Sequence, residues 1–218
     1  MKKVELFKLA GRIPSNGRRG SSSTLMLESP SQPSDDDLLR LTSTGDERAF
    51  LEFYRRHQGP VFRFALQMSG KAEIAEEVTQ DVFMVVMSAP KQFDPKRGPA
   101  GAYLYGIARN LVLRCLEREK PYLTVLDDPD HEYSGRLAGE QDIAGELAYA
   151  ERIESLRKAV LALPPAYREV VVLCDLHELD YAAAAGVLGC AIGTIRSRLH
   201  RARALLMEKM RAAERCAV

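Results

Sequence analysis

Between residues 164 and 206 the chain carries helix signals so closely punctuated that few folds are open to it. In "LPPAYREVVVLCDLHELDYAAAAGVLGC", Pro164 and Pro165 end one helix and open the next, whose buried side comes from Val170, Val171, Leu173 and Cys174. Asp180 is a cap for a short helix from Tyr181 to Leu188, in which consecutive alanines remove side-chain bulk, and Gly189 supplies the turn that follows. In the next stretch, "GTIRSRLHRARALL", an advance of about 100° per residue puts Ile195, Leu199, Ala202 and Leu206 on one narrow stripe. Arg196, Ser197, His200 and Arg201 fall on the opposite side, with Arg198 and Arg203 on the flanks and no acid before Glu208. Thr194 is expected to supply the N-cap hydroxyl, and Gly193 to let the chain turn into the helix.

Two helices joined by a tight turn, the first small enough for close approach and the second basic on its outer side, make a helix-turn-helix. The N-terminal half of the second helix then enters the DNA major groove, where an arginine paired bidentately with guanine contributes roughly 1–3 kcal/mol of discrimination. Arg196, Ser197, His200 and Arg201 are the candidates for base contact, and Arg198 and Arg203 for phosphate contact.

The rest of the chain limits what can accompany that module. Its 218 residues, 46% of them hydrophobic, suffice for one or two domains with real cores. Helix formers dominate and no strand-like alternation persists, so the expected class is all-α: two small helical domains joined by a flexible linker, the C-terminal one a helix-turn-helix. A net charge of only +1 argues against a general nucleic-acid coat, so DNA binding must use local charge. Cys115, Cys174, Cys190 and Cys216 lie without a CxxC pair and the histidines are as dispersed, which points to reduced cytosolic thiols with no metal site and no cofactor. No apolar run approaches membrane-spanning length, and "MKKVELFKLAGRIPSNGRRG" is too interrupted by charge for a signal peptide, so a cytoplasmic location is expected.

Composition divides the chain into a basic, Ser/Gly/Pro-rich extension at 1–34 expected to lack fixed structure, a helical unit at 35–118, an acidic linker at 119–149, a second helical unit at 150–212 and a tail at 213–218. Met26 is a second candidate start, since everything that reads as folded follows it. Two domains on a tether suit an extended partner with two sites.

In "KAEIAEEVTQDVFMVVMS", Ile74, Ala75, Val78, Val82, Val85 and Val86 form a buried side. The other side reads Glu73, Glu76, Glu77 and Gln80, then Phe83, Met84 and Met87, an acidic and apolar mixture that spacing alone fits equally to a protein-binding surface or to a fully buried helix. Next, in "FDPKRGPAGAYLYGIARNLVLRCLERE", a loop displays Lys96 and Arg97. The helix after it carries Leu104, Ile107, Ala108, Leu111 and Cys115 on one stripe, with Tyr103, Gly106, Asn110 and Arg114 on much of the other and Tyr105 and Arg109 nearby. Aromatic, amide and guanidinium groups beside a basic loop are what unpaired bases need: a ring to stack on, groups for base edges and charge for the backbone.

Taken in order, "GDERAFLEFYRRH", "AEEVTQDVF", "FDPKRGPAGAYLYGIARNLV", "LPPAYREVVVL" and "GTIRSRLHRAR" resemble a bacterial RNA polymerase sigma factor of the compact extracytoplasmic-function group, over residues 35–118 and 150–212. The resemblance implies that Glu77, Gln80 and Asp81 dock on the clamp helices of the polymerase largest subunit. It implies that Lys96, Arg97, Tyr103, Arg109 and Asn110 serve capture and opening of the minus-10 element of promoter DNA. Thr194, Arg196, Ser197, Arg198, His200, Arg201 and Arg203 would serve the minus-35 element, with their domain seated on the polymerase flap. It further implies a monomer when free, regulated by an anti-sigma factor, with phosphoryl transfer left to the polymerase. The chain departs from the family pattern at Tyr103, where tryptophan is usual, at Gly106, where a basic residue is common, at Glu178 in place of a frequent glycine, and at Ala184 in place of a branched aliphatic.

Two other classes fit part of the chain. A stand-alone helix-turn-helix regulator accounts for the second domain and would usually dimerise on a two-fold operator. A metal-dependent nuclease would need the acids at 35–37 or 127–130 as ligands, where helix capping and solubility already explain them.

Overall fold

A computed structural model describes residues 33–89, 92–123 and 143–216, with no side-chain detail at 97, 120–123, 143–149 and 213–216. The expectations for the N-terminal extension up to residue 32, for Met26 and for most of the acidic linker lie outside the described residues. Among those described, the secondary structure is helical throughout, without a strand.

The first unit begins with α1 (Asp35–Ser43), whose N-cap Ser34 accepts a hydrogen bond from the Asp37 amide at 3.1 Å and whose first turn holds three aspartates. Negative charge there complements the helix dipole. Asp35 also lies 2.8 Å from His57 Nε2, and Asp37 pairs with Arg40, so these acids are spent on structure. Helix α2 (Glu47–Ser69) starts at Asp46, which accepts from the amides of Arg48 and Ala49, and stops at Gly70. That stop favours glycine because its φ is +76°, and a Cβ there would also lie 2.9 Å from Leu161 Cδ1, whose side chain would have to shift. Helices α3 (Ala72–Ser88) and α4 (Ala100–Leu123) pack on α2 and on each other. Between them Asp94 Oδ1 accepts from the Lys96 amide at 3.0 Å and caps a 3-10 turn, Pro95–Arg97.

The second unit comprises α5 (Ile143–Leu161), α6 (Pro165–Val171) running on as a π-helical segment (Val172–Leu176), α7 (Tyr181–Leu188) and α8 (Ile192–Cys216). Val170, Val171 and Leu173 are fully buried as their spacing predicts, and Cys174 is half-buried. Asp180 Oδ1 accepts from the Ala183 amide at 2.8 Å, and Gly189 closes α7 at φ +62°, which turns the chain towards α8. Glu178, just before α7, also sits in the left-handed region, at φ 56°.

Arg168 ties the units together. Its guanidinium donates to Met68 O at 2.7 Å at the end of α2 and to Leu161 O at the end of α5. Further along, the π-helical segment packs on α2 and α7 packs on α4, so the buried residues of both units form one continuous cluster. The tethered pair expected from the sequence is thus seen docked.

Candidate nucleic-acid interface

Helix α8 presents the basic face. Its inner stripe, Ile195, Leu199, Ala202 and Leu206, is at most 2% exposed, while Arg196, Ser197, His200 and Arg201 all face outwards. Ala184 and Ala185 of α7 are buried beneath it, so the missing side-chain bulk serves the close approach of the two helices. The helix begins at Ile192, two residues before the expected cap. Thr194 therefore lies in its first turn, where its amide donates to Ala191 O, and is not the N-cap. Arg198 is half-buried on the flank.

Arg203, expected at a phosphate, is held bidentately by Asp175 of the π-helical segment, at 3.1 and 2.5 Å. The Asp175 side chain is only 6% exposed, so the pair fixes the roll of α8 against the rest of its unit, and its hydrogen bonds raise the Arg203 pKa further. Burial, with Asp175 adding to it, pushes the neighbouring Cys174 thiol up to about 11 and keeps it protonated at neutral pH. Arg196 lies 6.0 Å over the ring of Tyr181, a cation–π contact that steadies the arginine at the start of the basic face.

In the first unit, Lys96 is exposed in the 3-10 turn and Arg97 follows it there, its side chain outside the described residues. Asn110 is exposed. Tyr103 stacks at an angle on Phe93, ring centroids 5.5 Å apart, and its hydroxyl is buried without a hydrogen-bond partner. Burial also raises the Tyr103 pKa. A cavity of about 560 Å³ is lined by Phe93, Tyr103 and Asn110 on one side and by Ala183, Gly186 and Val187 of α7 on the other. Arg109 is engaged: its Nε donates at 2.7 Å to Glu169, a residue only 6% exposed.

On α3, Glu77, Gln80 and Asp81 are all exposed beside Met84 and Met87, which are 58% and 55% exposed. Glu77 pairs with Arg118 at 2.6 Å across to α4. Phe83 does not join that face. It is 3% exposed and meets Phe50, Phe53 and Tyr54 of α2 edge-on, so it belongs to the core. Among the described residues no cluster of acids, histidines or cysteines could hold a metal, and no helix is long and apolar enough to cross a membrane.

Sequence reasoning missed the seam between the units. Tyr105 Oη lies 2.9 Å from His177 Nδ1, and His177 Nε2 lies 2.8 Å from Gln67 Oε1. Because the amide oxygen only accepts, the neutral imidazole protonated at Nε2 satisfies both contacts. Burial pushes His177 down to about 4 and Tyr105 up to about 12. No spacing rule links residues 67, 105 and 177, so only the docked fold reveals the group.

The Sigma-70 region 2 family model matches residues 53–121, and that of Sigma-70 region 4 matches residues 153–206. The ECF RNA polymerase sigma factor SigE of Mycolicibacterium smegmatis is 32% identical over 170 residues, 76% of this chain and 64% of that protein, so the chain spans just under two thirds of that relative. SigC of Mycobacterium tuberculosis is 32% identical over 165 residues, 75% of this chain and 84% of SigC. Among solved structures, CnrH in complex with the cytosolic domain of CnrY matches with a TM-score of 0.60 at 27% identity, covering 83% of this chain and 99% of that one. An outward basic face on the second of two closely packed helices, an acidic and apolar face on α3 and matches to both regions in order agree on one conclusion: the chain belongs to the extracytoplasmic-function group of RNA polymerase sigma factors.

Proposed function

We propose that the chain works in the cytoplasm as the promoter-recognition subunit of RNA polymerase, with its two helical units dividing the task. The first unit docks on the polymerase clamp helices through Glu77, Gln80 and Asp81, with Met84 and Met87 adding apolar area to a polar patch. Its loop and α4 take the minus-10 element: Lys96 and Arg97 hold backbone charge, and Tyr103, Arg109 and Asn110 receive bases as the strands part. Extracting a base costs a few kcal/mol, which stacking and hydrogen bonds at the site must return. The second unit lays α8 in the major groove of the minus-35 element, with Arg196, Ser197, His200 and Arg201 at the bases, Thr194 and Arg198 at the flanks, and Arg203 as the strut that sets the helix. The same unit seats on the polymerase flap. The chain itself catalyses no reaction. An anti-sigma factor is the expected regulator, as the similar sigma factor RpoE of Bartonella quintana was solved in complex with the anti-sigma factor NepR.

The observation that carries this reading is the pairing of the α8 basic face with the α3 acidic face on separate units of one chain. A stand-alone regulator uses the first and has no need of the second. Size exclusion of the purified chain with bacterial core RNA polymerase tests it. Co-migration is expected, and the variant Glu77→Arg with Gln80→Arg is expected to abolish it. Co-migration unaffected by the double reversal would overturn the assignment of α3.

A further inference from the structure

Two arginines of α8 are held from outside the helix, and they are held in different ways. Arg196 and Arg203 are seven residues apart, two helical turns, so they share one face. Arg203 gives Nε and a terminal N–H to the Asp175 carboxylate, which engages donors that a phosphate would otherwise take and fixes the roll of the helix. With that roll set, Arg196 lies 6.0 Å over the ring of Tyr181, the first residue of α7. A ring takes up the face of a guanidinium and consumes none of its N–H groups, so Arg196 is steadied while its donors stay free for a base edge.

The place of Tyr181 is fixed by its own helix. Asp180 caps α7 by accepting from the Ala183 amide at 2.8 Å, and Ala184 and Ala185 are buried where α7 meets α8. The Tyr181 ring is nevertheless 37% exposed, so much of its area lies outside the core. An unsupported arginine surrenders its rotamer freedom on meeting DNA. One already rested on a ring surrenders less, and the saving is made for the base that its held orientation fits.

We propose that Tyr181 is a specificity-determining residue for the minus-35 element: its ring positions Arg196 for bidentate pairing with O6 and N7 of a guanine and meets no base itself. The inference rests on the assignment of α8 to that element made above. Tyr181 acts through Arg196, so its loss blurs one base position while the rest of the recognised sequence is read as before.

The full-length chain, joined to core polymerase, is offered a duplex library randomised at both promoter elements, and the bound fraction is sequenced. Arg196→Ala first locates the base that Arg196 reads, as the guanine whose preference disappears while the others persist. Tyr181→Phe keeps a ring without the hydroxyl, and Tyr181→Leu fills the place without a π face. Thermal midpoints and co-migration with core polymerase confirm that each variant is folded and joined. Tyr181→Leu is expected to lower the preference for that guanine about fivefold and to leave the other positions unchanged, while Tyr181→Phe retains it. Tyr181→Leu with the parent's preference would overturn the proposal. Loss of the preference in Tyr181→Phe as well would overturn it by assigning the effect to the hydroxyl. An equal loss of affinity for all sequences would also overturn it, since Tyr181 would then be meeting the DNA backbone. An Arg196→Ala variant that keeps every preference of the parent would instead overturn the assignment of α8.

Discussion

His177 makes the seam between the two units sensitive to acid by an amount the structure determines. Its imidazole is packed against Phe64 and Tyr105, bonded to Tyr105 on α4 and to Gln67 on α2, and faces the positive field of Arg63 on α2. Burial first, and Arg63 second, lower its pKa from the ordinary 6.5 to about 4. A histidine whose pKa is depressed on docking binds fewer protons docked than undocked between those two values. The stabilisation is therefore complete above pH 6.5, declines as pH falls, and is exhausted below about 4. The full difference amounts to about 3 kcal/mol, and by pH 5.5 the loss is about 1.4 kcal/mol, a tenfold shift towards the undocked form. The ring-proton resonances of His177 in an NMR titration read the pKa directly, and scattering over the same pH range reads compactness. A midpoint near 4 is expected, with expansion setting in below pH 6. The control His177→Gln should flatten the dependence between pH 6.5 and 5. A midpoint near 6.5, or identical pH profiles for parent and control, would refute the argument that burial in the seam governs this residue.

Other consequences follow from single positions. Leu199, 1% exposed beneath the basic face, leaves a cavity when changed to alanine, so Leu199→Ala should destabilise the second unit by about 2–5 kcal/mol, read as a lowered thermal midpoint. Arg196→Ala and Arg201→Ala should each weaken binding to a minus-35 duplex by about 1–3 kcal/mol while leaving co-migration with core polymerase intact; equal loss of both would put α8 in the docking surface instead. Glu178 holds a left-handed backbone at φ 56°, so Glu178→Gly should raise stability by about 1 kcal/mol, and a fall would show that its side chain contributes more than the strain costs.

The helix-turn-helix was legible because its signals are local. Asp180 caps, Gly189 turns, and the stripe from Ile195 to Leu206 repeats with the helix period, so each is settled within a few residues. Even there the start of α8 was misread, since a threonine three residues late looks like a better cap than Ala191, whose carbonyl takes the Thr194 and Ile195 amides without side-chain help. Phe83 read as surface because its partners, Phe50, Phe53 and Tyr54, lie on another helix. Arg203 and Arg109 read as free DNA ligands because Asp175 and Glu169 lie 28 and 60 residues away. Periodicity states which face a helix buries and does not state what that face meets. The seam, built from residues of α2, α4, α6 and the π-helical segment, is therefore the part that only the folded chain discloses.

The central claim is that this chain gives RNA polymerase its choice of promoter. Bacterial core polymerase, supplied with a library of genomic fragments, should yield discrete transcripts that appear only when the chain is added and that start downstream of a shared pair of elements spaced about 25 base pairs apart, roughly 85 Å of duplex. Transcripts whose number and start sites are the same with and without the chain would contradict the account.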